Sequence, residues 1–567
     1  MKSIFVAIML TSLVICACGQ KASQQKYPYR WTYMSRGLSN DKQVEDVAKI
    51  ARICAQNGLN GILFSCGADR LDIQSSDYVR RLKEVKKICD DLGVDIIPSI
   101  FSVGYGGTGL AHNKNLAAGI PVEEALFVVK GGEAVHLPDP QVKINNGGFE
   151  VFKGGRASGF DSPETYGLVI SRDTETRKDG KSSLRFEDFG KHPEEAGRLS
   201  TEIEVKPHRL YRMSCWIKSE GMDESKPFSS GNLRFQATAP DKRPLEWMNI
   251  NMPASGDWVR VVEAFNSREY EKVRISIYAS SEQQGRFWVD GLEVEEMGMV
   301  NLLRRPGTPV TVRGETSGVV YEEGRDFDKV IDPELDFRFE HDGPAIKLLP
   351  GSRIAEGERL LVSFYHGTYV YDGQVTLCMS EPELYDIWRA NASLMQQQLG
   401  SNKYFLHMDE IRNGGACKAC MDRNLPMHQI LGDCITKAHA MLREVNPEAE
   451  IFIWSDMIDP IHNGSDRRSY YYHVAENYYG SWNYIPKDLI ISCWWHKMRN
   501  ESLAHFSGLG YRTIGASYYD ADDLENPKEW LESLDKTPGA SGIIYTTWLR
   551  KYDLLDDFGK LVSEHWN

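Results

Sequence analysis

The sequence has no surplus of positive charge. Its 66 lysines and arginines stand against 80 aspartates and glutamates, for a formal net charge of -14, and no long basic run appears. A nucleic-acid partner is therefore not expected, because phosphate binding needs a positive footprint. Beyond the first residues, no apolar stretch is long enough to cross a bilayer. Cysteine is sparse, 11 in 567 residues, which is no dense disulfide framework. Most of the cysteines past the N-terminus (Cys54, Cys66, Cys89, Cys215, Cys378, Cys434, Cys493) fall in apolar periodic segments and read as small core residues. Cys417 and Cys420 form a lone CxxC with no second close pair. A structural zinc needs four ligands, so a loop disulfide or two free thiols is the expectation, and no metal or cofactor is assigned. With 41% hydrophobic and 26% charged residues the chain can bury a large core, and its length implies roughly three or four units.

The N-terminus reads as a processing signal. Lys2 is followed by an apolar run from Ile4 to Ile15 and then by Cys16-Ala17-Cys18-Gly19. The run is short for a membrane span and suits a signal-peptide core. Its ending resembles a bacterial lipobox, which implies residues 1–18 as a lipoprotein signal with Cys18 as the lipidated residue. Gly19 resembles the second residue of lipoproteins sent to the outer membrane, so the implied location is the cell envelope. The only membrane contact expected is through that anchor.

Strand and helix periodicities then alternate. Strands are expected at 30–34, 61–65 and 94–101, with helices at 41–56 and 76–91, each closed by a glycine. That order predicts parallel pairing with right-handed crossovers. The pattern stops for nearly three hundred residues. Residues 104–140 look Gly-rich and loop-like, 142–298 are all β in texture, and 299–374 read as a small β-rich domain. The alternation resumes with strands at 404–410, 450–456, 489–495, 512–519 and 542–548, and helices at 381–399, 425–445, 501–509, 527–534 and 554–565. The expected fold class is α/β: a (β/α)8 TIM barrel from 27–105 and 375–567, with an all-β jelly-roll module and a small β domain inserted after the third barrel strand.

The chemistry centres on Tyr404-Phe405-Leu406-His407-Met408-Asp409-Glu410. In strand phase Phe405, His407 and Asp409 share one face, and two adjacent carboxylates stand where the strand ends. Carboxylates at the carboxyl ends of barrel strands are where such enzymes keep their chemistry; a solvated strand end is the plain alternative. Other strand ends carry Trp454 and Asp456, Trp494 and Trp495, Tyr519 and Asp520, and Trp548. Flat aromatic faces beside carboxylates suit a sugar, whose C–H faces stack while its hydroxyls bond the rim. The expected ligand is thus an oligosaccharide or polysaccharide.

Two resemblances add to this. The landmarks Asn145-Asn146-Gly147-Gly148-Phe149-Glu150, Asp179-Gly180-Lys181-Ser182-Ser183-Leu184, the strand from Leu210 to Lys218, and Phe287-Trp288-Val289-Asp290-Gly291-Leu292-Glu293 resemble carbohydrate-binding modules of the family 4/9/16 type. Trp216, Trp247, Trp258 and Trp288 are then stacking platforms or core residues. His407-x-Asp409-Glu410, with Trp454-Ser455-Asp456 and the closing Trp548, resembles the signature of glycoside hydrolase family 20, the β-N-acetylhexosaminidases. The two glycines that precede the pair in that family are absent here, and the pair is shared by other substrate-assisted hexosaminidases. The resemblance implies that Asp409 bonds the substrate's acetamido N–H while Glu410 acts as acid and then base. Tyr478, Tyr479, Tyr484 and Tyr519 are candidates for the acetamido carbonyl, and His407 for orienting Asp409. Two other readings stay open: a conventional retaining glycosidase with Asp456 or Asp520 as nucleophile opposite Glu410, and a non-catalytic glycan-binding lipoprotein.

Overall fold

The strands that alternate with helices along the chain close on one another. A computed structural model describes residues 27–222, 233–250, 253–279, 284–371, 373–466 and 473–565; Cys18 lies outside them. Eight strands form a closed barrel in chain order: β1 (Tyr29–Ser35), β2 (Gly61–Ser65), β3 (Asp95–Ile100), β4 (Lys403–Leu406), β5 (Glu450–Trp454), β6 (Ile490–Cys493), β7 (Arg512–Tyr518) and β8 (Ala540–Thr546). Neighbours pair in parallel, and β8 returns to β1 with Gly542 opposite Tyr29. Residues one apart on a strand face opposite ways. Trp31, Tyr33, Leu63, Phe405, Phe452, Trp454 and Ile490 accordingly fill the barrel interior. Tyr404, Leu406, Ile451 and Ile453 pack outward in a second core that includes the helices' buried faces.

The longer helices are α1 (Asp41–Gln56), α2 (Ser76–Asp91), α3 (Pro382–Leu399), α4 (Met427–Val445), α5 (Arg499–Gly508), α6 (Glu525–Asp535) and α7 (Leu555–Glu564). Their starts follow local chemistry. The Asn40 side chain accepts from the Gln43 amide, Ser75 accepts from Tyr78, and Pro382 opens α3, where its missing N–H costs nothing. The β5–β6 connection carries short 3-10 turns at Asp456–Ile458 and Ser481–Asn483 and a two-residue strand, His473–Val474, that pairs with Asn413–Gly414.

Residues between β3 and α3 build antiparallel sheets. A five-stranded sheet (255–266, 210–220, 286–296, 183–186, 170–173) and a four-stranded sheet (197–204, 272–279, 233–238, 244–250) enclose one apolar cluster as a sandwich. A separate six-stranded sheet combines 311–314, 320–321, 346–347 and 359–366 with Ile120–Lys130 and Glu133–His136. The stretch expected to be a loop therefore supplies a hairpin, turned at Gly131-Gly132, both with positive φ. Leu210 and Ala264 of the sandwich share a core with this sheet. The sandwich also reaches the barrel, where Arg268 Nη2 lies 3.1 Å from His473 Nδ1 in the β5–β6 connection.

Candidate active site

β4 stops at Leu406, but the chain continues alongside β3, with the His407 amide donating to Ile100 O at 2.8 Å. Asp409 then follows two residues past His407. Glu410 has φ 48, in the left-handed region that a residue with a side chain seldom adopts. That turn ends the pleat and sets the two carboxylates in different surroundings. Gly104, just past β3, is what lets the turn sit here. A Cβ on it would come within 2.2 Å of Asp409 O and 2.8 Å of Glu410 O, so no side chain fits.

Asp409 is buried beside His407, whose Nε2 lies 3.0 Å from its Oδ1. The other ring nitrogen of His407, Nδ1, is 3.1 Å from Ser99 Oγ. Burial disfavours the charged imidazole, but Asp409, with Asp69 and Asp456 behind it, outweighs burial and holds the His407 pKa above its ordinary value. His407 and Tyr105 also line a cavity of about 200 Å³ that extends to Asp69 and Arg70.

Glu410 is more open, its side chain 22% exposed. Tyr105 donates to its Oε2, as does Gln374 Nε2 at 3.1 Å, while Arg412 Nη2 lies 3.0 Å from Oε1. Burial works to raise the Glu410 pKa, but Arg412 and these donors win and hold it below the usual carboxylate value. Arg412 also donates to Gln374, which fixes the amide in place.

Asp456 abuts the pair. It is fully buried, and its Oδ2 accepts from the Glu410 backbone N–H at 2.9 Å and from Asn463 Nδ2 at 3.1 Å. Burial, then the negative charge of Asp409, pushes its pKa up to about 8. Asp520 is also engaged, accepting from Thr547 Oγ1 and from the backbone N–H groups of Trp548 and Leu549. It ties the loop after β8 to the end of β7.

The aromatic residues form one wall of the mouth. Trp454 is buried against Phe405, with ring centroids 4.6 Å apart. Trp548 packs on Tyr33 at 4.9 Å and on Trp454 at 6.2 Å. Trp494 and Tyr519 lie nearly parallel, 6.2 Å apart. Tyr519 and Trp548 remain 50% and 41% exposed, so both rings present a face to the mouth. Trp495 stacks on His462 at 4.9 Å. The Glu410 charge reaches Tyr519, whose pKa is pushed up to about 12 by burial and by that charge. Tyr518, Tyr519 and Asp520 all have positive φ, so the end of β7 is strained where it meets the mouth.

The structure thus brings His407, Asp409, Glu410, Asp456, Trp454, Trp494, Tyr519 and Trp548 to one end of the barrel, with Trp495 behind His462 and Asp520 in a loop-holding role. Of the four tyrosines, Tyr519 stands in the field of Glu410. Tyr484 instead accepts from Gln429 on α4, Tyr479 packs on Trp482, and Tyr478 is buried. Sequence reasoning missed Ser99, Tyr105, Gln374, Arg412 and His462. Ser99 lies at the end of β3 and Tyr105 just past it, so their strand-end position was the available signal; nothing local marks Gln374. In the sandwich, Trp288 is buried and donates to Asp173, while Lys178 and Arg234 lie over the rings of Trp216 and Trp247. Cys417 and Cys420 are not bonded to each other, their sulfurs being 3.6 Å apart.

No protein-family model matches the chain, and no curated protein matches it. Among solved structures, it is similar to a rhamnosidase from Novosphingobium sp. PP1Y at 9% identity and TM-score 0.33, over 92% of this chain and 55% of that one. A β-N-acetylhexosaminidase from Bacteroides fragilis NCTC 9343 is similar at 13% identity and TM-score 0.25, over 35% of this chain and 41% of that one. A family 16 carbohydrate-binding module is similar at 16% identity and TM-score 0.20, over 27% of this chain and 97% of that one. The chain spans about half the length of the two enzymes, and likenesses at these TM-scores carry no weight for activity.

Proposed function

We propose that the chain is a glycoside hydrolase acting on N-acetylhexosamine-containing glycans, with the substrate's own acetamido oxygen as nucleophile. The observation that carries this reading is the contrast between two adjacent carboxylates. Asp409 is buried on the imidazole of His407, and Glu410 is partly open in the mouth, within electrostatic reach of Tyr519. Asp409 accepts the acetamido N–H and offsets the positive charge that develops as the acetamido group cyclises. Glu410 protonates the leaving oxygen, then takes a proton from water. The exposed faces of Tyr519 and Trp548 stack on the sugar.

The disposition of the other carboxylates favours this over an enzymic nucleophile. A nucleophile must be ionised and reachable. Asp456 is fully buried, its pKa is raised, and it accepts the amide of Glu410 itself. Asp520 is occupied by the loop after β8.

The test is a panel of chromogenic glycosides that includes N-acetylhexosaminides, with a thiazoline mimic of the cyclised intermediate as inhibitor. The expected result is turnover of an N-acetylhexosaminide, with the thiazoline binding more tightly than substrate. Turnover confined to sugars without an acetamido group, with covalent capture of a carboxylate by a fluorosugar, would overturn the reading.

A further inference from the structure

The CxxC cysteines and a third cysteine that the sequence holds far from them meet in the loop past Glu410. Cys378 precedes α3, and Cys417 and Cys420 lie in the β4–α4 connection. Their sulfurs are 3.3 Å (Cys378–Cys417), 3.6 Å (Cys378–Cys420) and 3.6 Å (Cys417–Cys420) apart, and all three side chains are buried. Each sulfur therefore reaches both others, in a nearly equilateral triangle. A disulfide would join two and leave the third a buried thiol. Zinc–thiolate bonds of about 2.3 Å put tetrahedral sulfurs about 3.8 Å apart, close to the edges seen here.

A second observation points the same way. Arg305, from the loop after the sandwich, is buried against this cluster. Its Nε pairs with Glu381 at 2.6 Å and its Nη1 donates to Ala117 O at 2.8 Å. Its Nη2 is buried with no hydrogen-bond partner among the described residues, and its charge acts on Cys378 and Cys417. An orphaned guanidinium nitrogen beside thiols is costly unless an anion faces it. Thiolates on a metal are such anions. Ser380 Oγ is buried beside Cys420, within hydrogen-bonding reach of its sulfur.

We infer that Cys378, Cys417 and Cys420 hold one divalent thiophilic ion, zinc by ligand type, with the fourth position taken by a small oxygen donor such as Ser380 Oγ. Among the described residues no other histidine, cysteine, aspartate or glutamate completes the set. Binding forms three metal–sulfur bonds and releases three thiol protons to solvent, with no change of oxidation state. The ion would fasten the chain before α3 to the loop that leaves Glu410 and Arg412, which itself packs on the Arg305 loop. There the Ala419 amide donates to Gly307 O at 3.4 Å. The site is structural and independent of which sugar the mouth accepts.

The full chain, purified under reducing conditions, tests this by elemental analysis. One zinc per chain is expected, released when a mercurial blocks the thiols and absent from Cys378→Ser. Cobalt(II) offered to the metal-stripped wild type should give thiolate-to-metal charge transfer and the intense visible bands of a tetrahedral site, a readout that does not depend on whether the variant folds. No zinc together with no cobalt spectrum would overturn the inference. So would full zinc content in Cys378→Ser, or a Cys417–Cys420 disulfide in the unreduced native chain.

Discussion

His407 Nε2 lies 3.0 Å from Asp409 Oδ1, and the same ring holds Ser99 Oγ through Nδ1. The imidazole thus fixes the direction of a carboxylate that is otherwise buried. Removing it leaves Asp409 without its cation. His407→Ala should lower kcat on an N-acetylhexosaminide about 100-fold, the scale of a misplaced reacting group, with a smaller change in KM. Steady-state kinetics checks this, and an unchanged kcat would remove His407 from the positioning role.

Glu410→Gln keeps the shape of the side chain and loses its proton. Turnover of a substrate with a poor leaving group should fall by roughly two to four orders of magnitude. A substrate with a very acidic leaving group needs little protonation, so its first step should be partly spared. Comparing leaving groups in the variant separates the acid role from a structural one. Equal losses for both would count against Glu410 as acid.

Arg412 sets the pH at which Glu410 can act. Its guanidinium stabilises the carboxylate and lowers the pKa. A general acid works only while protonated, so kcat/KM should decline as pH rises through a value below the ordinary carboxylate range, giving an acidic optimum. Arg412→Met removes the stabilising charge and raises the pKa, so the declining limb should move to higher pH. A limb that stays in place would show that another group sets it.

Much of the barrel was legible because its signals are local. A strand–helix alternation with capping residues such as Asn40 and Ser75 repeats on both sides of the insertion, and parallel neighbours follow chain order. The hairpin 120–136 was not, although Gly131-Gly132 is a turn signal. Glu124 has positive φ, and a register shift interrupts the pairing with 359–366, so the alternation that marks a strand is broken. Its other partners lie more than two hundred residues away in sequence. The site divides in the same way. Asp409 and Glu410 could be read from their place at a strand end, whereas Gln374 comes from a chain segment that only folding brings near them.

The lipobox-like ending at Cys18 carries a separate expectation about location. Acyl chains on Cys18 would hold the chain at a membrane, since two or more chains anchor far more firmly than one. Cys18→Ser should move the protein from the membrane fraction to the soluble fraction in the organism that makes it. Unchanged membrane association would show that the anchor lies elsewhere.

Asp456 ties the site to stability. Its pKa rises from 3.8 to about 8 because burial and Asp409 both oppose its charge. Between those values the folded chain holds a proton that the unfolded chain has lost. Stability from this group is therefore present below pH 3.8 and is lost as pH rises toward 8. A tenfold change in proton affinity corresponds to about 1.4 kcal/mol, so a rise of this size amounts to several kcal/mol. Asp456→Asn removes the titration but keeps an oxygen to accept from the Glu410 amide and Asn463. It should be more stable than the parent near pH 8, with the difference shrinking toward pH 4. Asp456→Ala removes the acceptor as well and leaves the partly buried Glu410 N–H unpaired, costing about 1–3 kcal/mol across the whole range. Denaturant unfolding of the three proteins at several pH values distinguishes these outcomes. A gap between Asp456→Asn and the parent that does not change with pH would mean that Asp456 is ionised in the folded chain, and that Asp409 faces a charge instead of a proton.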